Sequence, residues 1–257
     1  MITPADVRLG MLTPSSNTVL EPMVAQMFRG IPEASVHFSR VRVTEISLQG
    51  GALDQFDLDA MLDAAALLAD ARVHVIGWNA TSASWMGFDR DRKFCAEMTK
   101  RYDIPATSAV LAVNEILEAI GARRIAMVTP YVDEVQKQIL QLYEDAGFSC
   151  VAERHSGERV NYAFADIGDD EITRFVREVS EAGPDAIVVM CTNLRAAHLV
   201  ADLEQEYGIP IIDSIAAFVW KVAGQSGLDP RRLEKWGRIF ELAPDQQRKQ
   251  EHASGGV

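Results

Sequence analysis

The 257-residue sequence has few cysteines and an excess of acidic over basic side chains. Its three cysteines, Cys95, Cys150 and Cys191, are odd in number and form no CxxC pair. The sequence therefore predicts neither a disulfide framework nor a zinc site. The net charge of −12 argues against nucleic acid or a membrane surface as a partner, because both bind basic protein faces.

Long apolar runs and several well-known motifs are also absent. No stretch approaches the ~18 apolar residues that a transmembrane helix needs, and the N-terminus lacks a basic region followed by an apolar run. Together with the cysteine usage, this predicts a protein of the reducing cytoplasm. The GxGxxG, GxxxxGK[ST] and GxSxG motifs are missing, so nucleotide binding and serine-hydrolase chemistry have no motif support.

An internal repeat is the main positive feature of the sequence. Residues 9–17 (LGMLTPSSN) recur as 125–133 (IAMVTPYVD), 75–82 (VIGWNATS) recur as 187–193 (IVVMCTN), and 102–105 (YDIP) recur as 207–210 (YGIP). The three matches keep the same order, as expected for a duplicated unit that has gained small insertions and deletions. Two copies of one unit normally face each other, and their cleft is the expected ligand site.

Short apolar runs alternate with longer amphipathic segments along the chain. Strands are predicted at 7–12, 36–43, 73–78, 125–128, 149–153 and 187–190, and helices at 20–28, 58–68, 90–102, 108–120, 132–146, 169–182, 196–206 and 215–223. This alternation predicts parallel sheets with right-handed crossovers. The expected fold is α/β, with two pseudo-symmetric parallel-sheet domains and the active site in the cleft between them. Residues 1–107 form the first predicted half, with 216–242 packing back on it; 108–215 form the second, and 243–257 a flexible tail.

Polar turns at 13–17, 79–82, 129–131 and 191–193 each follow a predicted strand and precede a predicted helix. Such turns offer backbone N–H groups without intrahelical partners, short side-chain donors and the positive end of a helix dipole. Helix capping alone would explain one such turn. Four in pseudo-symmetric positions predict a shared site for one or two carboxylates.

Cys191 is the candidate catalytic residue. A cysteine after four apolar residues is usually a small buried side chain, and packing is the interpretation for Cys95 and Cys150. Cys191 differs because it stands at a strand exit, where the next helix N-terminus is expected to lower the pKa of its thiol. Such a cysteine could donate a proton to carbon or attack an activated alkene.

Other residues of these turns have two interpretations. Tyr131 is either a hydrogen-bond donor to a carboxylate or enolate oxygen, or a surface aromatic residue. Asp213 and Ser214 are expected to end the last strand near the same cleft. Asp133 is interpreted as a helix N-cap, and His198 as a solvated helical residue.

Taken together, these motifs resemble the aspartate/glutamate racemase superfamily, in particular the branch of maleate cis–trans isomerases and arylmalonate decarboxylases. The resemblance covers the chain to about Leu242. Proteins of the EutA type, from ectoine-utilisation operons, belong to the same branch. The segments that carry it are 13–21 (TPSSNTVLE), 79–84 (NATSAS), 129–131 (TPY), 191–193 (CTN), 210–214 (PIIDS) and 236–241 (WGRIFE).

The resemblance implies an enzyme without cofactor or metal that acts on a small carboxylate or dicarboxylate through an enediolate-like intermediate. A homodimer is an expectation from the same resemblance. The resemblance to this family also makes Cys191 the proton donor or nucleophile. It assigns substrate binding to Asn17, Thr81, Ser82, Tyr131, Thr192 and Asn161.

The sequence departs from the family pattern at Ala80. Racemases and maleate isomerases of the family have a first cysteine there, and arylmalonate decarboxylase has glycine. Two-base racemisation needs an acid on each face of the carbon, and alanine supplies none. Decarboxylation with protonation by Cys191 fits the residues better, whereas maleate isomerisation fits the overall family pattern better. A non-catalytic carboxylate-binding accessory protein of a catabolic operon is the alternative from another functional class.

Overall fold

The structure is a computed structural model, and it describes residues 6–243. Eight strands form two separate four-stranded parallel sheets, and helices connect successive strands. The predicted α/β fold with two parallel-sheet halves is therefore confirmed. No helix within these residues is long and apolar enough to cross a membrane. The predicted tail from 244 onward lies outside the described residues.

The first sheet has the strand order β2-β1-β3-β4. Its strands are β1 (Val7–Pro14), β2 (Ala34–Val41), β3 (Val75–Trp78) and β4 (Ala106–Ser108). Its helices are α1 (Leu20–Met27), α2 (Leu58–Asp70), α3 (Ala83–Met86) and α4 (Phe88–Tyr102).

The second sheet repeats this arrangement with the order β6-β5-β7-β8. Its strands are β5 (Arg124–Thr129), β6 (Ser149–His155), β7 (Ala186–Val189) and β8 (Ile211–Asp213). The associated helices are α5 (Ala109–Ala119), α6 (Asp133–Asp145), α7 (Asp169–Ser180), α8 (Val200–Tyr207) and α9 (Ser214–Gln225). Each sheet places the first and third strands of its copy in the centre, so the polar turns after them lie at equivalent positions.

The core follows from the apolar pattern of the sequence. All residues of β3 and β7 are buried, as expected for central parallel strands covered on both faces. Several details differ from the prediction: β4 has no counterpart among the predicted strands, and α8 begins at Val200 rather than at residue 196. Ser108 is the last residue of β4, and its hydroxyl caps α5 by accepting from Leu111 N–H at 3.1 Å. Asp133 is the first residue of α6 rather than its N-cap, and its carboxylate lies 3.0 Å from His155 Nε2.

Helices α5 and α9 join the two halves. They pack against each other, and α9 also contacts β3 and β4 of the first sheet and β8 of the second. A Cβ atom on Gly77 would lie 2.3 Å from the Phe218 ring, so only glycine lets β3 and α9 approach this closely. These contacts are compatible with the predicted return of the C-terminal segment to the first half, and the domain boundaries themselves stay a prediction.

Candidate active site

A small pocket lies where the carboxyl ends of the two sheets meet. Its volume of about 20 Å³ leaves room for roughly one water molecule. Both halves of the chain contribute side chains, and the lining residues include no lysine or arginine. The lining residues are Pro14, Val43, Ile46, Phe56, Ala80, Thr81, Ser82, Trp85, Tyr131, Asn161, Cys191 and Thr192.

The first-half turn after β3 meets the second-half turn after β5 through two hydroxyl groups. Thr81 Oγ1 and Tyr131 Oη are 2.6 Å apart, and both side chains are buried. The Tyr131 ring packs edge-on against Trp85 and Phe164, at centroid distances of 5.0 and 5.5 Å. Tyr131 is therefore not a surface aromatic residue. Its ring is fixed by packing, and its hydroxyl points to the pocket wall.

Cys191 lies against the same hydroxyl pair and is only 3% exposed. Burial raises the pKa of its thiol to about 12, although the Tyr131 hydroxyl and two backbone N–H groups lower it. One of these groups, Asn193 N–H, donates to Sγ at 3.3 Å. The thiol is consequently protonated across the physiological pH range, as a proton donor must be.

The expectation that a helix N-terminus lowers the Cys191 pKa is wrong. The chain does not enter a helix directly after Cys191; a short 3₁₀ helix starts at Ala197 and α8 at Val200. The dipole effect falls off within the first turn, so it does not reach the sulfur. Loss of hydration around the buried sulfur is the larger effect, and it favours the neutral thiol.

Ser82 and Ala80 complete the first-half side of the pocket. Ser82 Oγ accepts a hydrogen bond from Trp78 Nε1 at 3.2 Å, which leaves the serine hydroxyl proton for another acceptor. Ala80 is 4% exposed and lines the pocket together with Cys191. The two halves thus present a methyl group and a thiol at corresponding positions of the repeat.

Asn17 does not line the pocket, in contrast to its predicted role. Its side-chain oxygen caps α1 by accepting from the N–H groups of Val19 and Leu20, at 3.0 and 2.9 Å. Its amide donates to the Thr192 carbonyl and hydroxyl oxygens, at 3.0 and 3.2 Å. The two bonds to Thr192 hold the polar turn of the second half against that of the first. In this arrangement Asn17 positions Thr192, which does line the pocket.

Asn161 reaches the pocket from the 3₁₀ helix Asn161–Asp166. Its amide donates to Ser16 Oγ at 2.8 Å, and its carbonyl oxygen accepts from Asn193 Nδ2 at 2.6 Å. Asn193 in turn accepts from Thr18 N–H at 3.0 Å. These bonds tie the two halves together around the pocket, so the polar turns form one connected network.

The apolar residues that cover the pocket were not predicted from the sequence. Ile46 and Phe56 belong to the segment 42–57, called the covering segment here, which follows β2. The covering segment is bonded to the second half: Ser47 Oγ and Gln49 Nε2 donate to the Glu134 carboxylate, at 3.1 and 2.8 Å. One feature of the sequence could have indicated this segment: it follows the carboxyl end of a predicted strand, and ligand sites of parallel sheets lie at such ends.

The remaining candidates lie away from the pocket. Cys95 and Cys150 are partly buried against the core, and His198 binds Asp169 with an Nε2–Oδ2 distance of 2.9 Å. Among residues 6–243, no group of three or more histidine, cysteine or acidic side chains is arranged to hold a metal ion.

Known proteins are similar to this chain in sequence and in fold. A family model described as arylmalonate decarboxylase matches residues 9–240. A maleate isomerase of Pseudomonas putida is 27% identical over 236 residues, which cover 87% of this chain and 93% of that protein. An arylmalonate decarboxylase of Bordetella bronchiseptica is 25% identical over 190 residues, 72% of this chain and 78% of that protein. The structure of a Nocardia farcinica maleate cis–trans isomerase mutant with a covalently bound succinylcysteine intermediate gives a TM-score of 0.80 at 24% identity, covering 91% and 98% of the two chains.

Proposed function

The chain belongs to the arylmalonate decarboxylase family, and on this basis we propose that it is a decarboxylase of small malonate-type dicarboxylates that needs no cofactor. In this proposal Cys191 protonates the carbon atom of an enediolate intermediate from one face. The observation that carries the proposal is the protonated, buried Cys191 thiol beside the Thr81–Tyr131 hydroxyl pair, with alanine rather than a second acid at position 80.

Substrate carboxylate binding falls to hydroxyl and amide groups, because no cationic side chain lines the pocket. Tyr131, Thr81 and Ser82 each carry a hydroxyl proton that can be donated to a carboxylate or enediolate oxygen. Thr192 and Asn161 add further polar groups to the pocket lining. Asn17 acts indirectly, since its amide fixes Thr192.

The apolar cover contributes to the loss of CO₂. A charged carboxylate placed against Ile46, Phe56 and Trp85 loses hydration without gaining a partner, whereas neutral CO₂ tolerates this environment. When the carbon–carbon bond breaks, its electron pair moves into the enediolate held by the hydroxyl groups. The new carbon–hydrogen bond takes its proton from the Cys191 S–H group, and the resulting thiolate is later reprotonated.

The pocket as described is too small for a dicarboxylate, so substrate binding requires a local rearrangement. Insertion of a substrate oxygen between Thr81 and Tyr131 replaces their mutual hydrogen bond. Outward movement of the covering segment supplies the remaining space. This movement breaks the side-chain bonds to Glu134 and two backbone bonds of 3.1 Å, from Ile46 N–H to the Arg159 carbonyl and from Asn161 N–H to the Thr44 carbonyl. Both movements are compatible with the fixed positions of Cys191 and Ala80 on the strand ends.

Maleate isomerisation is the second candidate, and the identity to maleate isomerases favours it. The relatives include both kinds of enzyme, and the first cysteine position distinguishes the two chemistries. A carboxylate-binding accessory protein is the third candidate, because Ala80 replaces the first cysteine of the family. Turnover of phenylmalonate, methylmalonate and maleate, followed by proton NMR, tests the three together. Monoacid from a malonate supports the decarboxylase, fumarate from maleate the isomerase, and binding without turnover the accessory protein.

A further inference from the structure

Buried polar atoms that the proposed reaction does not use lie at the strand ends around Cys191. Within residues 6–243, these atoms are fully buried and make no hydrogen bond: Thr13 Oγ1, Asn79 Oδ1 and Nδ2, Asp213 Oδ2 and Ser214 Oγ. Buried polar atoms in proteins nearly always have a partner, either a protein group or an ordered water. A set of them at one edge of two sheets therefore points to a function.

Strand register connects these residues to Cys191. Leu12 of β1 pairs with Trp78 of β3, so Thr13 and Asn79 are adjacent at the next position, and Asn79 N–H donates to the Leu12 carbonyl at 2.9 Å. The Thr192 hydroxyl donates to the Asn79 carbonyl at 3.3 Å. Asn79 therefore contacts the turn that carries the proposed proton-donating thiol, and Thr13 lies beside Asn79.

Asp213 reaches the same region from β8. Its partner in the sheet is Val189, two residues before Cys191. One carboxyl oxygen caps α9 by accepting from Ala216 N–H at 2.9 Å, and the other has no partner among the described residues. Burial raises the pKa of Asp213 to about 7, and its charge in turn raises the pKa of Cys191.

The charged groups on the elements packed against Asp213 are either bound to other partners or exposed, so Cys191 is the titratable group on which Asp213 acts. Strand β8 packs against β7, α8 and α9. On α8, Glu204 is occupied by the N–H groups of Ile211 and Arg238, at 2.9 and 2.8 Å, and Asp202 and Glu206 are exposed. On α9, Lys221 is paired with Glu115. The residues of β7 carry no charge.

We propose that Asp213 is the proton reservoir that restores the Cys191 thiol after each turnover, through water held by Thr13, Asn79 and Ser214. This inference rests on the proposed function, since it needs Cys191 to give up its proton to carbon. In the proposed step the O–H bond of the Asp213 carboxyl group breaks and an S–H bond forms at Cys191. The carboxylate then regains a proton from solvent when the pocket opens for product release.

The direction of this transfer follows from the two environments. The pKa of the Cys191 thiol is about 12 and that of the Asp213 carboxyl group is about 7. The Cys191 thiolate is therefore much the stronger base, and the proton moves from Asp213 to sulfur. Asp213 is increasingly ionised as the pH rises through about 7. The reservoir therefore fills at lower pH and empties at higher pH.

The Asp213→Asn variant tests the proposal because asparagine caps helices as well as aspartate does and has nearly the same shape. Cys191 is already protonated before the first turnover, so the first turnover on a malonate substrate is expected at the wild-type rate. Later turnovers are expected to be at least tenfold slower, which gives a burst in rapid-quench kinetics. The wild-type decline in kcat with an apparent pKa near 7 is expected to disappear.

The Asp229→Asn variant is the matched control, because Asp229 also caps a helix, the 3₁₀ helix Pro230–Trp236, through Arg231 N–H at 3.0 Å and lies outside the catalytic pocket. It is expected to show neither a burst nor a changed pH profile. Equal slowing of the first and later turnovers in Asp213→Asn would indicate a structural role and overturn the proposal. Unchanged kinetics in that variant would overturn it as well.

A second measurement keeps this test separate from the proposed function. Carbon-13 NMR titration of the Asp213 carboxyl group, assigned through the signal lost in Asp213→Asn, requires no substrate. A midpoint near pH 7 supports the reservoir, and a midpoint below about 5 overturns it. If the wild-type protein turns over none of the malonates, the proposed function fails in the kinetic experiment, while the titration still decides whether Asp213 can hold a proton.

Discussion

The hydroxyl groups of Thr81 and Tyr131 lie 2.6 Å apart, although 50 residues separate them in the chain. They belong to the polar turns after β3 and β5, so this hydrogen bond joins the two halves at the pocket wall. The Cys191 thiol contacts the same tyrosine hydroxyl. An oxygen atom of a bound carboxylate would replace the threonine–tyrosine bond and come to lie beside the proton donor.

Replacement of Cys191 by alanine is expected to abolish turnover and preserve the fold. The side chain is buried and small, so its loss leaves a cavity of about one sulfur atom and costs only a modest amount of stability. Loss of the only proton donor proposed for the carbon atom should lower kcat by at least about 10³-fold. Kinetics and circular dichroism on the purified variant check both statements.

The Cys150→Ala variant is the control for this substitution. Cys150 lies in β6, packed against the core and away from the pocket lining. Its kcat is expected to stay within about twofold of wild type. Retention of full activity in Cys191→Ala would contradict the proposed mechanism.

Replacement of Tyr131 by phenylalanine removes one hydroxyl group and keeps the ring contacts with Trp85 and Phe164. Loss of an oxyanion-type donor typically costs about 10²–10³ in kcat, and we expect a loss of this size with a smaller change in KM. The matched control is Tyr143→Phe, because Tyr143 is also buried and donates to Asn114 Oδ1 at 2.9 Å outside the pocket. Equal kinetic losses in both variants would argue against a catalytic role for Tyr131.

Alkylation by iodoacetamide at pH 7.5 is expected to be slow at Cys191. The reagent attacks thiolates, and burial raises the pKa of Cys191 to about 12. Mass spectrometry of the native protein should find Cys191 unmodified under conditions that alkylate all three cysteines in urea. Preferential labelling of native Cys191 would support the activated thiolate that the sequence predicts, and it would contradict the role of Cys191 as a proton donor.

Asp91 is expected to make stability fall as the pH rises. Burial raises the pKa of this carboxyl group to about 7, although the Ser108 hydroxyl and Arg90 lower it. Since the folded state favours the protonated form, its stabilisation is complete below the ordinary pKa near 4 and is lost as the pH rises through about 7.

The Asp91→Asn variant should therefore gain stability relative to wild type between pH 5 and pH 8, by an amount on the order of a few kcal/mol. Urea unfolding at the two pH values measures the difference. Asp89→Asn on the same helix is the control, since its side chain is exposed beside Arg92. A wild-type to variant difference that does not change with pH would show that Asp91 is ionised throughout this range.

The repeat and the strand ends were readable from the sequence, but the environment of the thiol was not. Equivalent polar turns after β3 and β7 place Ala80 and Cys191 at one pocket, as the matching segments predicted. The raised pKa of Cys191 comes from its burial, and the pocket that it lines also contains Ile46 and Phe56, which carry no local sequence pattern that indicates their position. The role of Asn17 could not be predicted from the sequence either, because helix capping and carboxylate binding use the same residue type.

The most direct test of the central claim is proton NMR of phenylmalonate incubated with the protein in D₂O. A single proton donor on one face predicts release of CO₂ and a monoacid that carries one deuterium at the α-carbon, in one enantiomeric form. The Cys191→Ala protein should give none of this product. Racemic product would contradict protonation from one face, and fumarate from a parallel maleate sample, with phenylmalonate untouched, would contradict the decarboxylase assignment altogether.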